Sequence, residues 1–148
     1  MKYLIIILMI METNVWAIDM NKNIDTSTAI KEAARSVGID YKLLRAVCFI
    51  ESSLNPNAFV ALDSNAPSYG LCQLQYRTAK ELGFKGYAKD LMYAPINAYF
   101  AAKNINKWQK KYNGDWRRAV TSYNKGHYVK SGASRYAIKV SFAMKEGR

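Results

Sequence analysis

The chain has 148 residues, enough for one compact domain. Its 22 lysines and arginines outweigh 11 acidic residues for a formal charge of +11, which favours a polyanionic partner such as nucleic acid, an anionic membrane face or an anionic cell-wall polymer. The basic residues are dispersed, with only Lys110–Lys111 and Arg117–Arg118 as pairs, so no nucleic-acid motif is read; the one histidine, His127, and two cysteines lack metal-ligand spacing, so no metal site is expected.

Met1–Lys2 is a short positive start, and Tyr3 to Met11 is an uninterrupted apolar run. Val15–Trp16–Ala17 is similar to a small-residue cleavage site, so residues 1–17 are expected to be a secretory signal peptide. An uncleaved N-terminal anchor is the alternative. The run is short for a transmembrane helix, and no later segment is long and apolar enough to span a bilayer. Losing residues 1–17 removes Lys2 and Glu12 and leaves the net charge unchanged. The expectation is a protein exported to the periplasm or cell envelope, with no stable membrane span after cleavage. Export argues against DNA as the target, and it permits a disulfide. Spacing alone leaves Cys48 and Cys72 open between a bridge and two buried apolar thiols.

Residues 18–28 read as a polar lead-in. Within it, Thr26–Ser27–Thr28 can cap a helix with apolar Ala29, Ile30, Ala33, Ala34 and Val37, stopped at Gly38. Asp40 caps a second helix from about Tyr41 to Ser53, which Asn55–Pro56 ends. Residues 57–74 have no helical period and suit a loop or short hairpin. Thr78 to Leu82 reads as a short helix stopped by Gly83. Pro95 suits the first turn of a long helix to about Tyr112, with an apolar face of Ile96, Tyr99, Phe100, Ala102, Ile105, Trp108 and Tyr112. Asp115 caps a helix from Trp116 to about Ser122, broken by Tyr123–Asn124–Lys125–Gly126, and a last amphipathic helix covers Arg135 to Met144. No repeat or linker appears. The expected fold is all-α, one domain over residues 29–148, with at most a short hairpin near residues 57–75. The aromatics suit a helical core and a carbohydrate groove equally well.

Glu51 follows the apolar run Leu43 to Ile50 and precedes Ser52–Ser53–Leu54–Asn55–Pro56. A carboxyl at the polar end of a buried helix is partly desolvated, which raises its pKa. A carboxylic acid still protonated near neutral pH can act as a general acid. A solvated surface glutamate is the plainer reading.

Three segments stand out together: Glu51–Ser52, Gly70–Leu71–Cys72–Gln73–Leu74, and Ala119–Val120–Thr121–Ser122–Tyr123–Asn124–Lys125–Gly126. Their order and spacing resemble the lytic transglycosylases with the soluble-lytic-transglycosylase, goose-lysozyme-like domain. That family carries a glutamate-serine pair, a Gly-Leu-Met-Gln element and an Ala-Tyr-Asn-x-Gly element. Here Cys72 replaces the methionine and Ser122 stands where alanine is usual. Weaker matches at Asp90–Leu91, Asn97, Ala101–Ala102 and Tyr136 to Val140 extend the resemblance over about Ile30 to Val140.

The resemblance implies a lysozyme-like fold that cleaves the MurNAc-β-1,4-GlcNAc bond of peptidoglycan without metal or cofactor. Glu51 would protonate the glycosidic oxygen, then accept the proton of the muramic acid C6 hydroxyl as a 1,6-anhydro ring closes. It also implies substrate roles for Ser52, Gly70, Gln73, Tyr123, Asn124 and Tyr136, with the Tyr123 hydroxyl orienting Glu51. Cys72 would pack where methionine packs, or bridge to Cys48. One alternative is a lysozyme-type hydrolase using Asp63, which otherwise reads as a solvated turn aspartate. Another is a non-catalytic peptidoglycan-binding assembly factor. The expected partners are peptidoglycan glycan strands and, by analogy with small exported members, an envelope-spanning secretion or conjugation apparatus; the chain is expected to be a monomer.

Overall fold

Alanine sets how closely the helices of this chain approach. The computed structural model describes residues 6–11, 14–19 and 23–148. Strands β1 (Ile6–Met11) and β2 (Asn14–Asp19) pair antiparallel, with Ile6 opposite Asp19. The expected leader overlaps these strands and otherwise lies outside the described residues.

Helix α1 (Thr26–Val37) is capped by Asp25, whose carboxylate accepts from the Thr28 backbone N–H at 3.0 Å and hydroxyl at 2.6 Å. The cap thus lies one residue before the expected Thr26–Ser27–Thr28, because a carboxylate also suits the positive end of the helix dipole. Helix α2 (Tyr41–Ser52) is capped by Asp40 and ends at Ser53 and Leu54, left-handed at φ 56° and 63°. The helix therefore ends before Asn55–Pro56 acts. The Ser52 hydroxyl fixes this turn, donating to the Leu71 carbonyl and accepting from the Asn55 N–H.

Strands β3 (Phe59–Asp63), β4 (Ala66–Tyr69) and β5 (Leu74–Gln75) form an antiparallel sheet in that order. The short β5 adds a third strand to the expected hairpin. Helix α3 (Tyr76–Glu81) starts two residues earlier than expected, and a 3-10 turn covers Ala88–Met92. Helices α4 (Ala94–Lys111), α5 (Trp116–Lys125) and α6 (Arg135–Glu146) complete the chain. Tyr123 and Asn124 lie inside α5 rather than in a break after it. Neither residue breaks a helix; Gly126, at φ 74°, does.

Helix α4 is the centre of the domain. Its Ala98, Ala101, Ala102 and Ile105 pack with α1, α2, α5 and α6 around Ala29, Ala33, Leu44 and Val47. Its Ile96 and Phe100 pack instead with Leu74, Ala79, Phe84 and Leu91 on the sheet side. Burial on both sides explains why a single apolar face understates this helix.

The loop before β5 is tied to three helices. The Asn97 carboxamide donates to the carbonyls of Tyr69 (2.7 Å) and Leu91 (2.8 Å) and accepts from the Cys72 N–H (2.8 Å). Gly70 is required there twice over. Its φ is 68°, and a Cβ would sit 2.7 Å from the Leu91 carbonyl oxygen. Cys72 is bridged to Cys48 of α2, and both are fully buried.

Cations lie on rings at the far end of α4. Lys107 and Lys111 sit 4.9 and 5.6 Å from the Trp108 ring centroid, Lys111 also 5.1 Å from that of Tyr128. Arg118 lies 4.2 Å from the Tyr112 centroid and donates to the Val129 carbonyl. Among the described residues, the two ion pairs, Arg77–Glu81 and Arg148–Glu146, are exposed.

The bridge spans a sequence separation of 24 residues, for which loop-closure entropy predicts about 3 kcal/mol of stabilisation. Replacing both cysteines with alanine is expected to lower the unfolding free energy by that amount in urea titrations, with an unchanged far-ultraviolet circular dichroism spectrum.

Candidate functional site

A cleft of about 490 Å³ is lined by residues from α2, the sheet, α3, α4 and α5, including Glu51, Asp63, Gln73, Asn104 and Tyr123. Glu51 occupies the last turn of α2, at the negative end of its dipole. Burial is the main reason its carboxyl is pushed up to about 7; the charge of Asp63 adds to the rise, and a hydrogen bond from Tyr136 opposes it. The Tyr136 hydroxyl donates to Glu51 Oε1 at 2.5 Å.

Tyr123 does not do what the resemblance implied. Its hydroxyl donates to the Cys72 carbonyl at 2.7 Å instead of to Glu51. Both phenols are pushed well above their usual pKa, first by burial and then by the Glu51 charge, so both remain neutral donors. Tyr136 supplies the carboxyl contact, and Tyr123 holds the loop beside it.

The remaining sequence-derived residues divide. Asn124 faces the cleft from the last turn of α5. Gln73 lines it too, but its Nε2 donates to the carbonyls of Gly70 (2.9 Å) and Ala58 (3.2 Å). The Ser52 hydroxyl is engaged by Leu71 and Asn55, so it clamps the helix end to the loop rather than facing a ligand. Gly70 lies against Leu91 and Asn97, so the close approach it permits is to protein.

Asp63 is not a solvated turn residue. The β3–β4 register shifts between Val60 and Asp63, an irregularity of the kind that re-aims side chains. Its Oδ2 accepts from the Ser68 hydroxyl at 2.7 Å, and the residue lines the same cleft as Glu51. Sequence reasoning passed over Ser68, Gln75, Thr78, Asn104, Lys125 and His127, which also line the cleft. Asparagines seven residues apart at 97 and 104 fall on one face of the helix, among apolar Ala94, Ala98, Ala101 and Ile105, and were the available signal. Among the described residues, no cluster of three His, Cys, Asp or Glu side chains is placed to hold a metal, and no helix is long and apolar enough to cross a membrane.

The family model of the transglycosylase SLT domain matches residues 28–142. The chain is 32% identical over 111 residues to the peptidoglycan transglycosylase gp16 of Escherichia phage T7. That match covers 73% of this chain and 8% of the phage protein, so the chain spans less than a tenth of that relative's length. The X-ray structure of an inactive mutant of the lytic transglycosylase Slt from Pseudomonas aeruginosa aligns with a TM-score of 0.60 at 18% identity. It covers 79% of this chain and 21% of that one, and the likeness is one of fold.

The raised pKa of Glu51 has a definite sign in stability. Between about pH 4.5 and about pH 7 the folded state holds a proton that the unfolded state has lost, so this contribution is present at low pH and fades as pH rises. Glu51→Gln is expected to match the parent at about pH 4 and to be more stable by up to about 3 kcal/mol above about pH 8. Denaturant titrations across that range check it. Tyr136→Phe removes the opposing hydrogen bond and is expected to raise the Glu51 pKa further, read from the carboxyl resonance by NMR.

Proposed function

The chain belongs to the transglycosylase SLT domain family, and on that footing we propose that it is a peptidoglycan lytic transglycosylase that cleaves the MurNAc-β-1,4-GlcNAc bond and leaves a 1,6-anhydro-MurNAc end. The observation that carries this reading is Glu51 in the cleft with its carboxyl at about 7 and Oε1 engaged by the Tyr136 hydroxyl. A group of that pKa serves nearly equally as acid and as conjugate base at neutral pH.

With Oε1 engaged, the transferable proton resides on Oε2. It passes to the glycosidic oxygen as the C1–O bond breaks, and that bond's electron pair leaves with the GlcNAc side. The MurNAc ring becomes oxocarbenium-like, and Glu51 is left ionised beside it. Glu51 then takes the proton of the C6 hydroxyl as O6 bonds to C1, which restores the acid. No water is consumed. The Tyr136 hydrogen bond strengthens when Glu51 is charged, so it steadies the intermediate state. The Nε2 of Gln73 is engaged by backbone carbonyls, which leaves its carbonyl oxygen for a sugar hydroxyl. Asn124 offers an amide from the opposite wall. The dispersed positive charge attracts a polymer whose peptide stems carry carboxylates. Peptidoglycan is an envelope polymer, so the reading places the protein there, with residues 1–17 as its signal peptide and an envelope-spanning apparatus as its setting.

One observation favours a second reading. Asp63 lies close enough to raise the Glu51 pKa, and a second carboxylate is what a hydrolase needs to direct water.

Mass spectrometry of fragments from purified peptidoglycan separates the two. The transglycosylase yields 1,6-anhydro ends, whereas free reducing ends alone would mean hydrolysis. Glu51→Gln is expected to lower turnover at least about a hundredfold. The wild-type rate should fall about tenfold per pH unit above about 7 as the acid form is lost. Asp63→Asn is expected to keep activity within about tenfold and to move that limb to lower pH; a hydrolase would lose more than about a hundredfold.

A further inference from the structure

Among the described residues, six polar side chains are buried: Ser68, Gln73, Asn97, Asn104, Thr121 and Ser122. Five have protein partners. Ser68 donates to Asp63, Gln73 to two carbonyls, and Asn97 makes three bonds. Thr121 donates to the Arg117 carbonyl, and Ser122 pairs with the Tyr112 hydroxyl at 2.6 Å. Asn104 has none.

Asn104 is only 5% exposed, yet it lines the same cleft as Glu51. Its polar atoms are not sealed off: among the described residues, the one sealed side-chain polar atom without a partner is Arg118 Nε. Nor does it cap anything, because it lies in the middle of α4, where the backbone is bonded within the helix. A buried carboxamide without an internal partner is satisfied only by what enters the cleft.

We propose that Asn104 recognises the acetamido group of a sugar ring bound in the cleft. A carboxamide presents one N–H donor and one carbonyl acceptor side by side. An acetamido group is a trans amide whose C=O and N–H point in opposite directions, so Asn104 bonds one of them: its N–H donates to the acetamido carbonyl, a stronger acceptor than a ring hydroxyl. Asn104 is nearly buried, and an acetamido carbonyl projects farther from the ring than a hydroxyl does. Because Asn104 and Glu51 line one cleft, the contact would also orient the sugar relative to Glu51, which makes Asn104 a positioning and specificity residue.

The inference rests on the peptidoglycan reading for its natural substrate, but chitin oligosaccharides carry the same group and test it separately. The experiment titrates full-length protein, in the Glu51→Gln background to prevent turnover, with chitotetraose and with cellotetraose, which has hydroxyls in place of acetamido groups. Asn104→Ala is expected to weaken chitotetraose binding about tenfold and to leave the weaker cellotetraose binding unchanged. Its melting temperature should be equal or higher, because the lost amide has no protein partner. Asn104→Asp, which keeps the size but loses the donor, should weaken chitotetraose as well. An equal loss on both sugars, no loss on either, or a lowered melting temperature with intact binding would overturn the assignment. If wild-type protein leaves peptidoglycan uncleaved while the acetamido preference persists, the enzymatic reading alone falls. Normal cleavage with an indifferent Asn104→Ala removes this inference alone.

Discussion

Three hydrogen bonds from one buried amide hold the loop on which the cleft is built. Asn97 binds the carbonyls of Tyr69 and Leu91 and the N–H of Cys72. Losing a partner of this kind leaves buried backbone groups unpaired, at about 1–3 kcal/mol each. Around that anchor, residues 70–72 connect outward to other elements. Leu71 accepts from Ser52 and Cys72 is bridged to Cys48, both on α2, and the Cys72 carbonyl receives Tyr123 of α5. Gly70 gives the backbone room to lie against Leu91 and Asn97. The segment is a rigid junction among α2, α4 and α5, and Gln73 enters the cleft from its end. Supporting contacts of this sort hold reactive groups to the tolerances that chemistry needs.

Local burial overrides global charge at Glu51. A chain carrying +11 would favour a carboxylate if its cations were near. They are dispersed and mostly solvated, and salt screens them beyond about 8–10 Å. Desolvation acts directly on the carboxyl and is the larger effect. Tyr136 then restrains the rise through a neutral hydroxyl, one that burial and the neighbouring carboxylate both keep protonated. The balance leaves a group able both to donate and to accept a proton near neutral pH.

The helical architecture was legible because its signals are local: apolar periods, aspartate caps at Asp40 and Asp115, and the stop at Gly38. The Glu51 environment was legible for the same reason, since the apolar run before it predicts burial. What escaped depends on long-range approach. Ser53 and Leu54 carry no glycine signal, yet both are left-handed, next to Ser52, whose hydroxyl is bonded to Leu71. Ser52 and Gly70 matched a motif, but the contacts that decide their roles are long-range: Ser52 donates to Leu71, and Gly70 lies against Leu91 and Asn97. Whether Cys48 and Cys72 pair depends on Cα separation, which sequence does not encode locally. The Glu51 contact falls to Tyr136 rather than Tyr123 for a similar reason, because two phenols near one carboxyl are distinguishable only by distance. Ser122, where the resembled family usually has alanine, is accommodated by the Tyr112 hydroxyl.

The rings that carry Lys107, Lys111 and Arg118 divide how this protein responds to ionic strength. Contacts between a cation and an aromatic face act at short range and are partly desolvated, so added salt weakens them little. Attraction of a distant anionic polymer is long-ranged and falls steeply with salt. The protein thus keeps much of its positive charge without acidic neighbours to neutralise it, and without depending on that charge for cohesion. Raising the salt concentration therefore acts selectively: it damps long-range attraction to any polyanion while leaving the contacts within the fold intact.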